Sequence, residues 1–204
     1  GMQLVDTTLV LETDINLNYL KLTGTSSIET NANTLSPVYL EIATDTELDL
    51  TNAVNSETGI DLAGDSSIAY TGEGLLLKYV SVGGFSLTLN ENITRLKAES
   101  IWLTNDYDEN RPNYMTDTGR FLSQGVNVTL TKSLWLDKGK FEMGGGTLTL
   151  EQGGEIRDGG ELDLSNSVLE LSGPFYNYQA TGTLTTSAST LRLKSNVKFE
   201  PGNN

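Results

Sequence analysis

Residues 128–150 read Val128-Thr129-Leu130-Thr131-Lys132-Ser133-Leu134-Trp135-Leu136-Asp137-Lys138-Gly139-Lys140-Phe141-Glu142-Met143-Gly144-Gly145-Gly146-Thr147-Leu148-Thr149-Leu150. Four apolar-x-apolar triplets stand in this run, the period-2 mark of short strands, and Asp, Lys and Gly separate them. The order of events then repeats. Leu130, Leu150, Leu171 and Leu193 follow one another at steps of 20, 21 and 22 residues. A second series runs Leu136, Ile156, a position near Asn177, and Phe199; a third runs Met143, Leu164 and about Leu184. Three short strands recurring at this period make one stacked supersecondary unit. Strands of three to five residues rising about 3.3 Å per residue, joined by three tight turns, close a triangular coil. Stacking such coils puts each strand beside its copy and sends Leu, Ile and Val into inward columns. The expected fold is all-β: a three-sided parallel β-helix of about eight to nine coils, one domain over residues 1–204, read as a segment of a longer protein.

The frame extends upstream. Leu87–Leu89, Thr94–Leu96 and Ile101–Leu103 make one coil, and Phe121–Leu122, Val128–Leu130 and Leu134–Leu136 the next. Leu103 to Leu136 spans 33 residues, so about 13 are inserted within 104–118, where the period-2 pattern stops. Before residue 80 the steps look irregular, 27 or 28 residues from Leu22 to Leu50 to Leu77, as longer turns such as 51–59 would cause. A β-sandwich is the competing reading. Its strands are usually longer. The clusters Gly144-Gly145-Gly146, Gly153-Gly154 and Gly159-Gly160 also fall between series members, where coil corners belong.

The segment from Gly145-Gly146-Thr147-Leu148-Thr149-Leu150 through Leu169-Glu170-Leu171 resembles the passenger and adhesin regions of bacterial surface proteins, over roughly residues 125–200. The resemblance is compositional. It implies a right-handed β-helix displayed outside the cell, and it matches no motif from which a functional residue could be carried over.

Composition narrows the chemistry. The chain has 204 residues, 27 acidic against 13 basic, a net charge of −14, no His and no Cys. Ser-His-Asp and Cys-His nucleophile systems, disulfides and His- or Cys-bearing metal sites are thereby excluded. Nucleic acid and anionic lipid are poor partners, because phosphate affinity comes from Lys and Arg. Residues 1–70 hold eleven acids against Lys21 alone. No run has the ~18 apolar residues of a membrane-spanning helix, so no membrane insertion by this segment is expected. The start Gly1-Met2-Gln3-Leu4-Val5-Asp6 lacks a basic, apolar leader. The expected location is extracellular or on the cell surface, with the export signal outside this segment.

With the flanking apolar residues inward, the middle residue of each triplet faces out. One outward series reads Lys21, Asp49, Leu76, Arg95, Thr129, Thr149, Glu170 and Arg192; another reads Asp61, Ser81, Trp102, Trp135 and Lys198. Thr129 and Thr149 are too few for an ice-binding array. Trp102 and Trp135 share the outward slot of adjacent coils. With Tyr107 and Tyr114 of the insertion they form the candidate ligand-binding set, either as a stacking platform for sugar rings or as a surface the insertion packs on. The cluster Phe175-Tyr176-Asn177-Tyr178 reads as an irregular strand covering the core edge. Asp106, Asp108 and Asp117 invite calcium. An EF-hand is ruled out by Arg111 at the position that needs Gly and by Pro112 next to it. A looser oxygen-ligand Ca²⁺ site is the residual reading, with no other cofactor.

Polysaccharide lyases and hydrolases need clustered carboxylates on a rigid face. Here the cluster Asp106, Asp108, Glu109 and Asp117 with Arg111 lies in one insertion, the outward columns show no stacked Asp pair, and Glu142 over Asp163 reads as isolated surface charge. The expectation is a non-catalytic, adhesin-like surface module with glycans or host and cell-surface proteins as partners. A carboxylate-based polysaccharide-degrading fragment is the alternative.

Overall fold

The computed structural model describes residues 1–103, 119–177, 182–194 and 197–200. Every strand pairing is parallel, and each strand pairs with the strand about 20 residues away. The chain is thus the expected three-sided β-solenoid. The first side stacks Met2–Val5, Gly59–Leu62, Tyr79–Ser81, Gly154–Arg157 and Phe175–Asn177 with the second halves of Ile15–Gly24, Leu35–Thr44, Arg95–Leu103 and Asn127–Asp137. The first halves of those four long strands begin the second side, which continues through Thr147–Leu150, Val168–Leu171 and Thr190–Leu193. These two sides share one 14-stranded sheet because the long strands bend across the corner between them. In Arg95–Leu103 the bend is a register shift between Ala98 and Ser100. Two adjacent inward residues, Ser100 and Ile101, mark the break in alternation there. The third side is a 7-stranded sheet from Leu48–Asp49 to Thr183–Thr185, extended by the pair Thr8–Val10 and Ser27–Glu29. Crossovers between parallel strands of one sheet are right-handed in about 98% of cases.

The core is a set of columns. Leu20, Leu40, Ile60, Val80, Ile101 and Leu134 stack on the first side and are all fully buried. Leu130, Leu150, Leu171 and Leu193 pair in register as the spacing required. On the third side Phe121 and Phe141 stack at 4.7 Å between ring centres, inside the core. Each inward Leu buries against the coil above and the coil below. This is the source of stability in a structure whose strands are too short to stand alone. Leu191 and Leu193, in the last described coil, are 44% and 49% exposed. The corners use left-handed backbone. At Gly146, φ is +72°, and a Cβ would collide with the Gly125 carbonyl of the preceding coil.

Three details of the expected frame are corrected. Phe199 pairs with Phe175, not with Asn177, and Leu184 pairs with Leu162, not with Leu164. In both, the corner before the strand carries two more residues than the preceding coils do. The N-terminal half is not irregular: Leu22 pairs with Ile42 and Ile42 with Leu62, at 20 residues each. Leu22, Leu50 and Leu77 do not form one column. Among the described residues no helix is long and apolar enough to cross a membrane, which says nothing of strands.

Candidate functional site

The outward face of the first side carries most of the exposed aromatic chemistry. Its central column reads Gln3, Lys21, Glu41, Asp61, Ser81, Trp102, Trp135, Glu155, Tyr176 and Glu200. The expected run Asp61, Ser81, Trp102, Trp135 is correct, and Glu200 replaces Lys198 at its end. The other outward series is reassigned. Leu76, Lys97, Thr129, Thr149, Glu170 and Arg192 form the second-side column; Arg95 pairs with Asn127 instead, Lys21 stands on the first side and Asp49 on the third.

A parallel column lies two residues earlier in each strand: Tyr19, Tyr39, Gly59, Tyr79, Ser100 and Ser133. The sequence reading missed its tyrosines. The signal was present, since Tyr19, Tyr39, Gly59 and Tyr79 fall at strict 20-residue intervals, but the glycine interrupts the aromatic run. Tyr19 and Tyr39 stack at 5.6 Å. The Tyr79 ring lies over Gly59, occupying the space a Cβ there would need. From that position it stacks on Trp102 at 5.0 Å, with 19° between planes. The Tyr79 hydroxyl donates to Asp61 Oδ2 at 3.1 Å. Burial raises the phenol's pKa, and the Asp61 charge and that hydrogen bond raise it further, so Tyr79 stays protonated at any physiological pH.

Glu41 and Asp61 are register neighbours on this face, a stacked carboxylate pair not foreseen in the sequence. Glu41 is buried. It accepts from Lys21 Nζ at 2.5 Å and from the Tyr19 hydroxyl at 2.7 Å. Burying this carboxylate is tolerable because its charge is paired and hydrogen-bonded.

The candidate residues separate as follows. Trp102 and Trp135 are register partners in the outward slot. Trp102 is half-buried under Tyr79, whereas Trp135 is 44% exposed. The Arg157 guanidinium sits 6.0 Å from the Trp135 ring centre and is held by Glu155. Tyr107, Tyr114, Asp106, Asp108 and Asp117 lie outside the described residues, as do Glu109, Arg111 and Tyr178. In the second aromatic cluster Phe175 is core, stacked on Phe199 at 5.7 Å, and Tyr176 faces out with Lys198 Nζ at 5.3 Å from its ring. Among the described residues no group of three or more acidic side chains is placed to hold a metal ion. Glu142 and Asp163 do stack, but not as isolated charges: Glu142 pairs with Arg120 and Lys140. Burial pushes the Glu142 pKa up, and these two cations more than offset it, leaving the carboxyl below its ordinary value.

Comparison with protein-family models, with curated proteins and with solved structures gave no match.

Proposed function

We propose that this chain is a non-catalytic, surface-displayed β-helix module, adhesin-like in role, that binds carbohydrate on the aromatic face of its first side. One observation carries the reading: Trp135 is exposed on a rigid sheet, beside a ladder of rings from Tyr79 through Trp102. Exposed flat rings offer apolar faces for the C–H faces of sugars, and the carboxylates and hydroxyls around them accept and donate to sugar hydroxyls. A rigid sheet fixes those groups before the ligand arrives, which lowers the ordering cost of binding. The compositional resemblance to bacterial surface regions supports display outside the cell, and the acidic surface suits it.

The alternative, a polysaccharide-cleaving fragment, gains one observation in the stacked pair Glu41 and Asp61. Both are engaged as acceptors from Tyr19, Lys21 and Tyr79, which suits a structural network better than a free acid and base.

The test is a panel of neutral oligosaccharides presented to the purified chain, with Trp135→Ala alongside. The expected result is capture by the wild type, loss of capture in the variant, and unchanged urea midpoints. Acrylamide should also quench a large share of the Trp emission. Wild-type binding that Trp135→Ala leaves intact would refute this face as the site, and no capture of any glycan by the wild type would refute the function.

A further inference from the structure

Where Arg95–Leu103 and Asn127–Asp137 bend from the second side to the first, the outer surface folds into a groove of about 670 Å³. That volume lies in the range of small-molecule sites. Its wall is the register column Leu76, Lys97 and Thr129, with Arg95 and Glu99 on the same strand as Lys97 and Glu57 opposite. Acids outnumber bases two to one in this chain, so a Lys or Arg has ample chance of a carboxylate neighbour. Lys21, Arg120, Lys132, Lys140, Arg157, Arg192, Lys194 and Lys198 each have one. Among the described residues Lys78, Arg95, Lys97 and Lys138 do not. Two of these four, Arg95 and Lys97, stand in the same groove, two residues apart on one strand and therefore about 6.7 Å apart along it.

Further features make the place a built one. Gly74 lies beneath Arg95: a Cβ there would strike the Arg95 Nε and come within 2.5 Å of its Cγ, so the absent side chain is what lets the Arg95 stem lie flat. Glu99 is neutralised by Lys132 at 2.6 Å, which leaves the groove net positive on a molecule of charge −14. Leu76 is 43% exposed, an apolar surface beside the cations, and Ser56, Thr129 and Thr131 supply hydroxyls.

We propose that this groove binds an anionic oligosaccharide, with Arg95 and Lys97 each taking an acidic group of the chain. Carboxylate and sulfate groups share the chemistry that the two cations recognise: a planar guanidinium fork and an ammonium point charge. Leu76 takes a sugar face, and the threonine hydroxyls and Glu57 take hydroxyl groups. This inference rests on the reading that the module binds glycan. The groove and Trp102 sit on opposite halves of one bent strand, Lys97 and Trp102 five residues apart, so a single glycan can run from cations to rings.

The experiment is calorimetric titration of the whole 204-residue chain with three probes of equal length: a neutral glucan, a uronate-bearing oligosaccharide and a sulfated glucan. The expected result is an anionic probe bound about tenfold tighter than the neutral one at low salt, a preference that fades as salt shortens the screening length from about 30 Å to about 3 Å. Arg95→Ala/Lys97→Ala should erase the preference and leave neutral binding unchanged, and Gly74→Ala should weaken it by displacing Arg95. Lys138→Gln, which removes one charge elsewhere, should leave it intact. If the double alanine variant fails to fold, Arg95→Gln/Lys97→Gln reads the same effect. Which anionic probe wins distinguishes carboxylate from sulfate. Equal affinity for all three probes, or a preference that survives the double variant or falls as much in Lys138→Gln, overturns the groove and leaves the aromatic-face reading standing. No binding of any probe overturns both.

Discussion

Gly59→Ala is a one-methyl change with a calculable cost. Gly59 lies in ordinary strand backbone, so alanine meets no backbone strain. The new Cβ instead collides with the Tyr79 ring, whose hydroxyl oxygen would lie 2.7 Å from it. The ring must swing away and gives up two interactions: the stack on Trp102 and the hydrogen bond to Asp61. The stack contributes about 0.5–1.5 kcal/mol. The hydrogen bond to a carboxylate, discounted because the face is partly wet, contributes about 1 kcal/mol. Against this, alanine favours the strand over glycine by about 0.5–1 kcal/mol. The net expectation is a loss of about 1–2 kcal/mol, measured as a shifted urea midpoint at constant slope by far-UV circular dichroism. The decisive control is the same substitution in a Tyr79→Ala background, where it should be neutral or stabilising by about 0.5 kcal/mol. Tryptophan emission should also shift in the single variant, because Trp102 loses its cover. An equal cost of Gly59→Ala with and without Tyr79 would refute the reasoning.

Other outcomes follow from the columns and the charges. Leu150→Ala should cost about 2–5 kcal/mol, since it opens a cavity between Leu130 and Leu171, whereas Thr149→Ala on the outer face should stay within about 0.5 kcal/mol; equal effects in urea titrations would invert the assignment of faces. Hydrogen bonds from Lys194 and Arg192 hold Glu170 below its ordinary value of 4.5, and those around Ser165 hold Asp163 below 3.8. Folded pKa values depressed in this way contribute stability above the ordinary values, and that contribution is lost as pH falls through the folded ones. The urea midpoint should therefore drop on acidification below about pH 4.5, and less steeply in Glu170→Gln. Lys140 is shifted the other way, upward from 10.5, chiefly by its hydrogen bond to Glu142, so its contribution is present below that value and fades in stronger alkali; Lys140→Gln should flatten the alkaline limb.

The fold was legible because apolar spacing survives in the linear chain. From Leu130 to Leu193 each corner costs nearly the same number of residues, so the column prints its period directly on the sequence. The two-residue errors at Phe199 and Leu184 arose where corner lengths change, which no apolar pattern records. The N-terminal half misled because Leu22, Leu50 and Leu77 belong to different columns, while the true partners of Leu22, Ile42 and Leu62, lie in triplets with ordinary spacing. The site was half legible. Trp102 and Trp135 announced themselves by composition in an outward slot. Tyr19, Tyr39 and Tyr79 sit one step outside the triplets, and Gly59 breaks their run. The pairing of Glu41 with Asp61 depends on knowing that coils are 20 residues long in that half. The groove at Arg95 and Lys97 was not legible at all, because it exists only where two strands bend together at the Ala98–Ser100 shift.

The rung-by-rung pairing also sets how the molecule bears a load. In a parallel solenoid the bonds between coils run along the long axis, so a pull on the two ends stretches them end-on instead of shearing a whole sheet at once. Force then concentrates on the outermost rung, held from one side only, as the exposure of Leu191 and Leu193 shows. That rung yields first and hands the tension to the next, so extension proceeds in steps of about 20 residues of released chain. Such a body lengthens gradually under strain and rewinds from the remaining coils when slack returns, behaving as a tether with a built-in shock absorber.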